Sequence, residues 1–354
     1  MNRRFFEEAL SDWMKGGGPD SDIVISSRVR IARNLRTHPF PTLATNQQSR
    51  EVRDQVRAAA ESEGFEQFGK FHFLELDRLT ELQKRVLVEK HLISPDLANE
   101  SRNGAVLLSE NESVSIMINE EDHLRIQVLR PGFQLRETWD AANRIDDWFE
   151  SRLEYAYDER KGYLTSCPTN VGTGIRVSVM MHLPALAMTQ QINRMLSAIT
   201  KVGLAVRGLY GEGSESTGNL FQISNQITLG LTEEDIIDNL HRVARQIMEH
   251  ERTARASLMQ DSRYKTIDRI YRSYGILAHA AIMDSKEAMK RLSDVRLGVH
   301  LGIIKSVSPQ TLNELMVMTQ PGFLQQLAGE ALSPEERDVR RAQLIRAKLG
   351  AKQP

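Results

Sequence analysis

The chain has 354 residues, 40% of them hydrophobic and 26% charged, which is typical of globular proteins with two or three domains. A formal net charge of -1 argues against a nucleic-acid-binding protein, since such proteins are usually clearly basic. No apolar run approaches the roughly 18 residues that span a bilayer, and the N-terminus lacks an apolar signal segment. With the lone Cys167 and no export signal, we expect a cytoplasmic protein without disulfides.

Hydrophobic periodicity predicts strands only in the first two thirds of the chain and helices throughout the last third. Up to residue 160 we predict helices over 3–15, 46–62, 78–92 and 134–160 and strands over 23–31, 104–118 and 123–130. Beyond it we predict a strand over 175–182, a helix over 185–201, two strands within 204–230 around a glycine-rich loop, and a long helix from Thr232 past Arg255. This order predicts an α+β domain followed by an all-helical domain.

Arginines recur on the polar faces of the predicted strands. Side chains alternate along a strand, so Arg28 and Arg30 lie on one face, about 6–7 Å apart. From this strand alone, a solvated edge strand with counter-charges on a neighbour is the simpler interpretation. Arg125 and Arg176 lie opposite aliphatic faces in the same way, and Arg207 ends a strand. If these strands form one sheet, the cluster suits a polyanion such as a nucleoside triphosphate, because guanidinium groups bind phosphate bidentately.

Two acids and the cysteine are weak signals when each is taken alone. Glu121 lies in an acidic turn with the strand parity of Arg125, and Glu212 lies in the glycine-rich loop after Arg207. Each acid is more simply a solvated turn residue, and a lone cysteine such as Cys167 is more simply a small buried hydrophobe. The chain has no GxxxxGK[ST] phosphate loop, no HRD and DFG kinase motifs, and no zinc-ligand spacing, so we expect no metal held by protein ligands.

Four motifs in order resemble those of the phosphagen (guanidino) kinases. They are Ser26 to Arg30, Asn119 to Arg125, Cys167 to Asn170 followed by Arg176, and Arg207 to Glu212. The resemblance covers about residues 23–255. It implies that family's fold, an antiparallel sheet flanked by helices, and the use of ATP with Mg²⁺ bridging its phosphates.

The resemblance also implies roles for individual residues. Glu121 and Glu212 would bind the acceptor guanidinium, and Cys167 would contact it. Because the cationic guanidinium must lose a proton during transfer, we expect Glu121 to act as the base. Five arginines would bind the ATP phosphates: Arg28, Arg30, Arg125, Arg176 and Arg207. The other positions implied at the nucleotide are Ser26, Ser27, Val29, His91, Val177, Ser178, Val179, Met180, Gly208 and Gly211.

The chain departs from the small-molecule members of that family. Only residues 1–22 precede the first arginine strand, where those kinases have a helical domain that closes over the free substrate. Tyr210 stands where the arginine kinases have a further arginine, and a helical region is added at the C-terminus. This arrangement resembles the bacterial protein arginine kinases, whose acceptor is an arginine side chain of another protein. We therefore expect an N-terminal helix and linker over 1–22, a catalytic domain over 23–255 and a helical domain over 256–354.

The segment from Ser333 to Glu336 predicts a helix start, with an N-cap serine, a proline and two acids. Spacing then places three arginines of the following helix on one face, and a surface helix with salt bridges is the simpler interpretation. The segment also resembles the motif by which protein arginine kinases bind phosphoarginine as an allosteric signal. The residues concerned are Arg337, Asp338, Arg340, Arg341 and Ala342.

The resemblance further implies a role in bacterial stress response and protein quality control. The implied partners are protein substrates, an activator protein, a heat-shock repressor and a Clp protease, and the apolar helical C-terminus favours a homodimer; no membrane or direct nucleic-acid partner is expected. Two other functions stay open. One is a kinase for free arginine or another small guanidino compound, which the short N-terminus disfavours. The other is a non-catalytic phosphoarginine-binding module, which the intact acids and arginines disfavour.

Overall fold

The computed structural model describes residues 4–208 and 217–350. Across these residues one antiparallel sheet of eight strands has the order β2-β3-β4-β5-β1-β8-β10-β9, and β6 and β7 form a separate hairpin. The strands are β1 Val24–Arg33, β2 Phe71–Glu75, β3 Ala105–Ser109, β4 Val114–Ile118, β5 Leu124–Pro131, β6 Tyr157–Asp158, β7 Gly162–Tyr163, β8 Ile175–His182, β9 Leu204–Arg207 and β10 Leu220–Asn225.

Helices cover both faces of this sheet. The described helices are α1 Arg4–Glu7, α2 Asn46–Ala60, α3 Glu81–Glu89, α4 Pro95–Glu100, α5 Leu135–Glu150, α6 Pro184–Met188, α7 Ile192–Lys201, α8 Glu233–Asp261, α9 Arg263–His279, α10 Ser285–His300, α11 Pro309–Met318, α12 Pro321–Ala328 and α13 Pro334–Lys348. One core lies between the sheet and α2, α5, α6 and α8. A second lies between the other face and α1, α3, α4 and the helices after α8. None of these helices is both long and apolar enough to cross a membrane.

The predicted α+β class and helical C-terminal region are confirmed, and β8 has the predicted bounds. The predicted strand over 104–118 is wrong as one element, because a turn at Glu110–Ser113 divides it into β3 and β4. The edge strand β2 was not predicted. The predicted N-terminal helix is limited to α1 and a 3-10 turn over Asp12–Met14. Helix α8 runs through residue 255, so a domain division at that point stays a prediction.

The N-terminal segment is part of the second core. Trp13 is 2% exposed, and the fully buried Lys90 donates from Nζ to the Phe5 and Glu8 carbonyls at 3.1 and 2.8 Å. The same ammonium donates to Glu112 Oε1 at 2.7 Å, and Ser11 Oγ donates to Glu112 Oε2 at 2.5 Å. A buried lysine is stable only when paired and hydrogen-bonded, so these contacts hold the segment against the end of α3.

A second buried acid joins α3 to the C-terminal helices. Glu89 accepts from the backbone N–H groups of Gly322 and Phe323 at 2.7 Å each, at the N-terminus of α12. A carboxylate is favoured there by the helix dipole and the free N–H groups. A Cβ on Gly322 would lie 2.7 Å from Arg85 Cγ and 2.9 Å from both carboxylate oxygens, so a larger residue would displace these side chains. The helical region after α8 is therefore fixed to the helix that ends next to His91.

Candidate functional site

The pairing of the strands places the predicted arginines on one face of the sheet. Arg30 on β1 lies directly opposite Arg176 on β8 and Gln127 on β5. Ala32 on β1 pairs with Arg125 on β5. At the far edge, Gln222 on β10 pairs with Arg207 on β9. We call the surface formed by Arg28, Arg30, Arg125, Arg176 and Arg207 the arginine face.

Burial and mutual repulsion act on the guanidinium groups of Arg28 and Arg30 in the arginine face. Burial, followed by the charges of Arg125, Arg176 and Arg207, lowers the pKa of Arg28 to about 10. Burial and the neighbouring arginines also lower the pKa of Arg30 well below its usual value. Within the described chain the buried Nε of Arg30 has no hydrogen-bond partner. Like charges opposite one another destabilise a sheet, so this surface favours a bound polyanion.

A small cavity of about 100 Å³ opens over the arginine face. Arg28 donates from Nη2 to Gln222 Oε1 at 2.6 Å, which holds its guanidinium in the cavity wall. His91 follows α3 with a left-handed φ of 58°, a conformation that is uncommon for a non-glycine residue and recurs at ligand sites. Burial, then the charge of Arg28, lowers the pKa of His91 to about 3, so its imidazole is neutral. Its ring lies 6.0 Å from that of Trp13, which the sequence analysis did not single out.

The acidic turn between β4 and β5 is joined to the loop that contains Cys167. Asp122 is fully buried, and its Oδ1 accepts from Asn34 Nδ2 at 2.6 Å and from the backbone N–H of Ser166 at 2.7 Å. Ser166 Oγ donates to the Glu121 carbonyl at 2.7 Å. The partly exposed Cys167 lies one residue further on, with Sγ 3.0 Å from Thr169 Oγ1. The structure therefore brings Glu121 and Cys167 into one region beside the arginine face.

Two acids of this turn bind the same arginine. Arg125 donates from Nη1 to Glu120 Oε1 at 2.7 Å and from Nη2 to Glu121 Oε2 at 2.9 Å. The Glu120 side chain is fully buried and also accepts from Ser94 Oγ at 2.5 Å, whereas that of Glu121 is 39% exposed. Glu120 was missed by sequence reasoning; its only signal was its place beside Glu121.

The environment of Glu121 suits proton transfer. Burial, with the charges of Asp122 and Glu120, raises the pKa of Glu121, although Arg125 opposes the shift. A base with a raised pKa accepts a proton more readily, and part of this carboxylate faces solvent where a substrate can approach. Glu120 lacks that access, so of the two acids only Glu121 can meet an incoming guanidinium.

His123, in the same turn, has a structural environment. Its Nδ1 accepts from the Leu35 backbone N–H at 3.0 Å, and Nε2 lies 3.0 Å from the Pro39 carbonyl. Burial lowers its pKa to about 4, so the folded protein keeps the ring neutral. Below the usual pKa of about 6.5 the unfolded chain takes up a proton that the fold excludes, so stability is lost as pH falls from 6.5 towards 4.

We therefore expect acid to destabilise the wild-type protein more than a His123→Gln variant. Between pH 7 and pH 5 the free energy of unfolding of the wild type should fall by roughly 2 kcal/mol more than that of the variant. Urea denaturation of both proteins at the two pH values measures the difference. Parallel losses in the two proteins would show that His123 is not held neutral.

Not every predicted nucleotide position presents its side chain to the arginine face. Ser26, Ser178 and Met180 border a cavity beside Arg28. Ser27 instead donates to the Gly132 carbonyl and accepts from the Gln134 N–H. The side chains of Val29, Val177 and Val179 are fully buried in the core on the opposite face. Gly208 is buried after β9. Tyr210, Gly211 and Glu212 lie outside the described residues.

The C-terminal motif lies at the start of α13, which has the predicted Ser333 N-cap. Arg341 is 2% exposed and donates to the Thr319 and Met283 carbonyls at 2.7 and 2.8 Å and to Asp338 Oδ1 at 2.5 Å. Arg340 is exposed, and Ala342 is buried. Arg337, Arg340 and Arg341 lie within one turn of α13, as the spacing predicts. The simpler interpretation of a surface helix is wrong for Arg341, which points into the protein, whereas Arg340 is exposed.

Comparison with known proteins gives two family matches. Residues 51–254 match the catalytic domain of ATP:guanido phosphotransferases, and residues 263–354 match the C-terminal domain of the protein-arginine kinase McsB. Within residues 4–208 and 217–350 no cluster of three or more acidic, histidine or cysteine side chains could hold a metal ion.

Full-length relatives and solved structures agree with those matches. A protein-arginine kinase of Brevibacillus brevis is 63% identical over 98% of this chain and 97% of its own. One of Bacillus subtilis is 57% identical over 98% and 95%. A lombricine kinase structure has a TM-score of 0.59 at 24% identity, covering 68% of this chain and 70% of its own. A duplicated taurocyamine kinase of Schistosoma mansoni has a TM-score of 0.60 at 24% identity, covering 68% and 34%. At that identity the two structures show the fold alone.

Proposed function

This chain belongs to the ATP:guanido phosphotransferase family, and from that premise we propose that it is an ATP-dependent protein arginine kinase. The observation on which the proposal depends most is the pairing of Arg125, on the arginine face, with the half-exposed Glu121 at 2.9 Å. That pair joins a surface suited to phosphates to a base suited to a guanidinium. The product would be phosphoarginine within a polypeptide.

ATP would place its phosphates on the arginine face. Phosphoryl transfer depends on positioning and on neutralising charge, and five guanidinium groups can do both. Mg²⁺ would bind together with ATP and neutralise part of the charge of its phosphates. The neutral His91 and the indole of Trp13 border the same surface, where an adenine ring would find aromatic contacts. Ser26, Ser178 and Met180 would line that side, whereas Ser27, Val29, Val177 and Val179 would act only through the backbone.

The acceptor must lose a proton during transfer. A guanidinium is cationic up to a pKa above about 12 and is a poor nucleophile. As the new N–P bond forms, the bond from the γ-phosphorus to the β-phosphate bridging oxygen breaks and ADP leaves. The proton on the attacking nitrogen goes to the Glu121 carboxylate. Cys167 would contact the acceptor, and Glu212, which lies outside the described residues, would bind it as a second acid.

We propose an arginine side chain of another protein as the acceptor. The support is the near full-length identity to protein-arginine kinases. Incubation with ATP and either free arginine or a denatured protein separates this proposal from a small-molecule kinase. We expect ADP release well above background only with the protein acceptor. Faster turnover of free arginine would favour the alternative.

A regulatory site in the C-terminal helices is a further part of the proposal. Asp338 and the buried Arg341 at the start of α13, with Arg337 and Ala342 beside them, would bind phosphoarginine, the carboxylate taking the guanidinium and the arginines the phosphate. Exposed Arg340 would contribute from the rim. The site would act as an allosteric sensor of the product within bacterial stress response and protein quality control. A purely phosphoarginine-binding protein is disfavoured by the Arg125 and Glu121 pair.

We expect free phosphoarginine to change the kinase rate of the wild type but not that of an Asp338→Asn variant. Removing the Asp338 charge weakens the contact with the guanidinium of phosphoarginine. The affinity for phosphoarginine falls about tenfold for each 1.4 kcal/mol of binding free energy lost. Glu335→Gln, at an exposed acid in the first turn of the same helix, is the matched control and should respond as the wild type does. Equal responses of wild type and Asp338→Asn would contradict the site.

The remaining proposals concern setting and partners. We propose that the enzyme is a cytoplasmic homodimer. Its partners would be an activator protein, a heat-shock repressor as one substrate, and a Clp protease that receives the modified proteins. Their support is the family membership.

A further inference from the structure

A second, larger cavity lies at the end of the sheet away from the acidic turn. It occupies about 580 Å³ between the ends of β4 and β5, helix α5 and the turn after Ser11. That volume is within the roughly 300–1,000 Å³ in which small molecules bind. The proposed reaction does not use it.

Its walls have an excess of positive charge. Lys15, Arg130 and Arg144 line it against the single acid Asp12, which is paired with Lys15 at 2.5 Å. Neither Arg130 nor Arg144 has a carboxylate partner within residues 4–208 and 217–350. The Nε of Arg130 is buried without a hydrogen-bond acceptor in that same part of the chain. Two uncompensated guanidinium groups beside one cavity favour an anion, and their geometry matches phosphate.

The remaining wall is aromatic and apolar. The Phe68 ring lies 5.9 Å from the Arg144 guanidinium carbon, and the indole of Trp13 forms the side towards the nucleotide cavity. Trp13 is 2% exposed, and its Nε1 has no acceptor among the described residues. A buried indole N–H without a partner is costly, and a ligand oxygen would satisfy it.

We propose that this cavity binds a small organic phosphate, with the phosphate on Arg130 and Arg144 and an apolar or aromatic body against Phe68 and Trp13. Inorganic phosphate would fill only part of this volume and would leave the aromatic wall uncovered. Because Trp13 also borders His91 and Arg28, binding here changes the wall of the nucleotide cavity. Any coupling between the two sites must be reciprocal.

Calorimetry on the full chain with phenyl phosphate tests the proposal, with inorganic phosphate as the second probe. We expect one phenyl phosphate per chain, bound at least tenfold more tightly than inorganic phosphate. Arg130→Gln/Arg144→Gln should weaken it by at least tenfold, while Arg160→Gln, an exposed arginine elsewhere, should leave it unchanged. Arg144 is exposed on α5, so Arg144→Gln alone should retain the fold. This single variant should lose less affinity for phenyl phosphate than the double variant.

A further variant, Arg28→Gln, separates this cavity from the arginine face and should retain phenyl phosphate. The proposal is overturned if phenyl phosphate does not bind, if the double variant binds it as the wild type does, or if only Arg28→Gln loses it.

Discussion

Replacing Glu121 with Gln is expected to slow arginine phosphorylation by roughly 10²–10⁴-fold while the fold stays intact. The amide keeps the shape of the side chain but cannot take the proton that the guanidinium loses as the N–P bond forms. The side chain is 39% exposed, so its replacement leaves little buried charge unpaired. ADP release with a protein acceptor measures the rate, and circular dichroism checks the fold.

The neighbouring acid Glu100 supplies the matched control. It lines the same cavity as Glu121 but lies exposed on α4 and makes no contact with Arg125 in the described structure. Glu100→Gln should therefore turn over as the wild type does. Wild-type turnover in Glu121→Gln would rule out Glu121 as the base, and an equal loss in both variants would indicate a general charge effect.

Replacing Arg125 with Gln is expected to affect both the reaction and the stability. The rate should fall by about 10²–10³-fold, as when one preorganised donor to a developing charge is lost. The free energy of unfolding should fall by about 3–5 kcal/mol, because the fully buried carboxylate of Glu120 loses its charged partner. Enzyme assays and urea denaturation measure the two effects separately.

The double variant Arg125→Gln/Glu120→Gln separates the two roles. With the buried charge also removed, most of the stability should return while the rate stays low. If the double variant were no more stable than Arg125→Gln, the unpaired charge of Glu120 would not be the cause of the lost stability. If its rate returned to normal, Arg125 would have no role in transfer.

Strand alternation was enough to place four of the five arginines on one face, because a period of two fixes which side chains share a surface once the strands pair. It could not show the order of the strands, which brings β9 beside β10 and Arg207 next to Gln222. The edge strand β2 was missed because its sequence, FHFLE, lies beside a turn and pairs only with β3.

The contacts of the N-terminus could not be predicted from local patterns. Trp13 contacts His91, and Lys90 donates to the Glu8 carbonyl across a sequence separation of 82 residues. The ion pair of Lys90 with Glu112 spans 22 residues. Likewise, spacing alone suggested one exposed arginine face on α13, whereas packing against the carbonyls of Thr319 and Met283 draws Arg341 inwards. Helix periodicity determines the direction of each side chain around the helix axis. Tertiary contacts decide which of these directions points into the protein.

Mass spectrometry of a protein acceptor after incubation with ATP, under conditions that preserve acid-labile phosphate, tests the central claim most directly. We predict phosphate on arginine nitrogen in the wild-type reaction and its near absence with Glu121→Gln. Phosphate on hydroxyl side chains instead of arginine, or no phosphoarginine from an active ATP-binding preparation, would contradict the account.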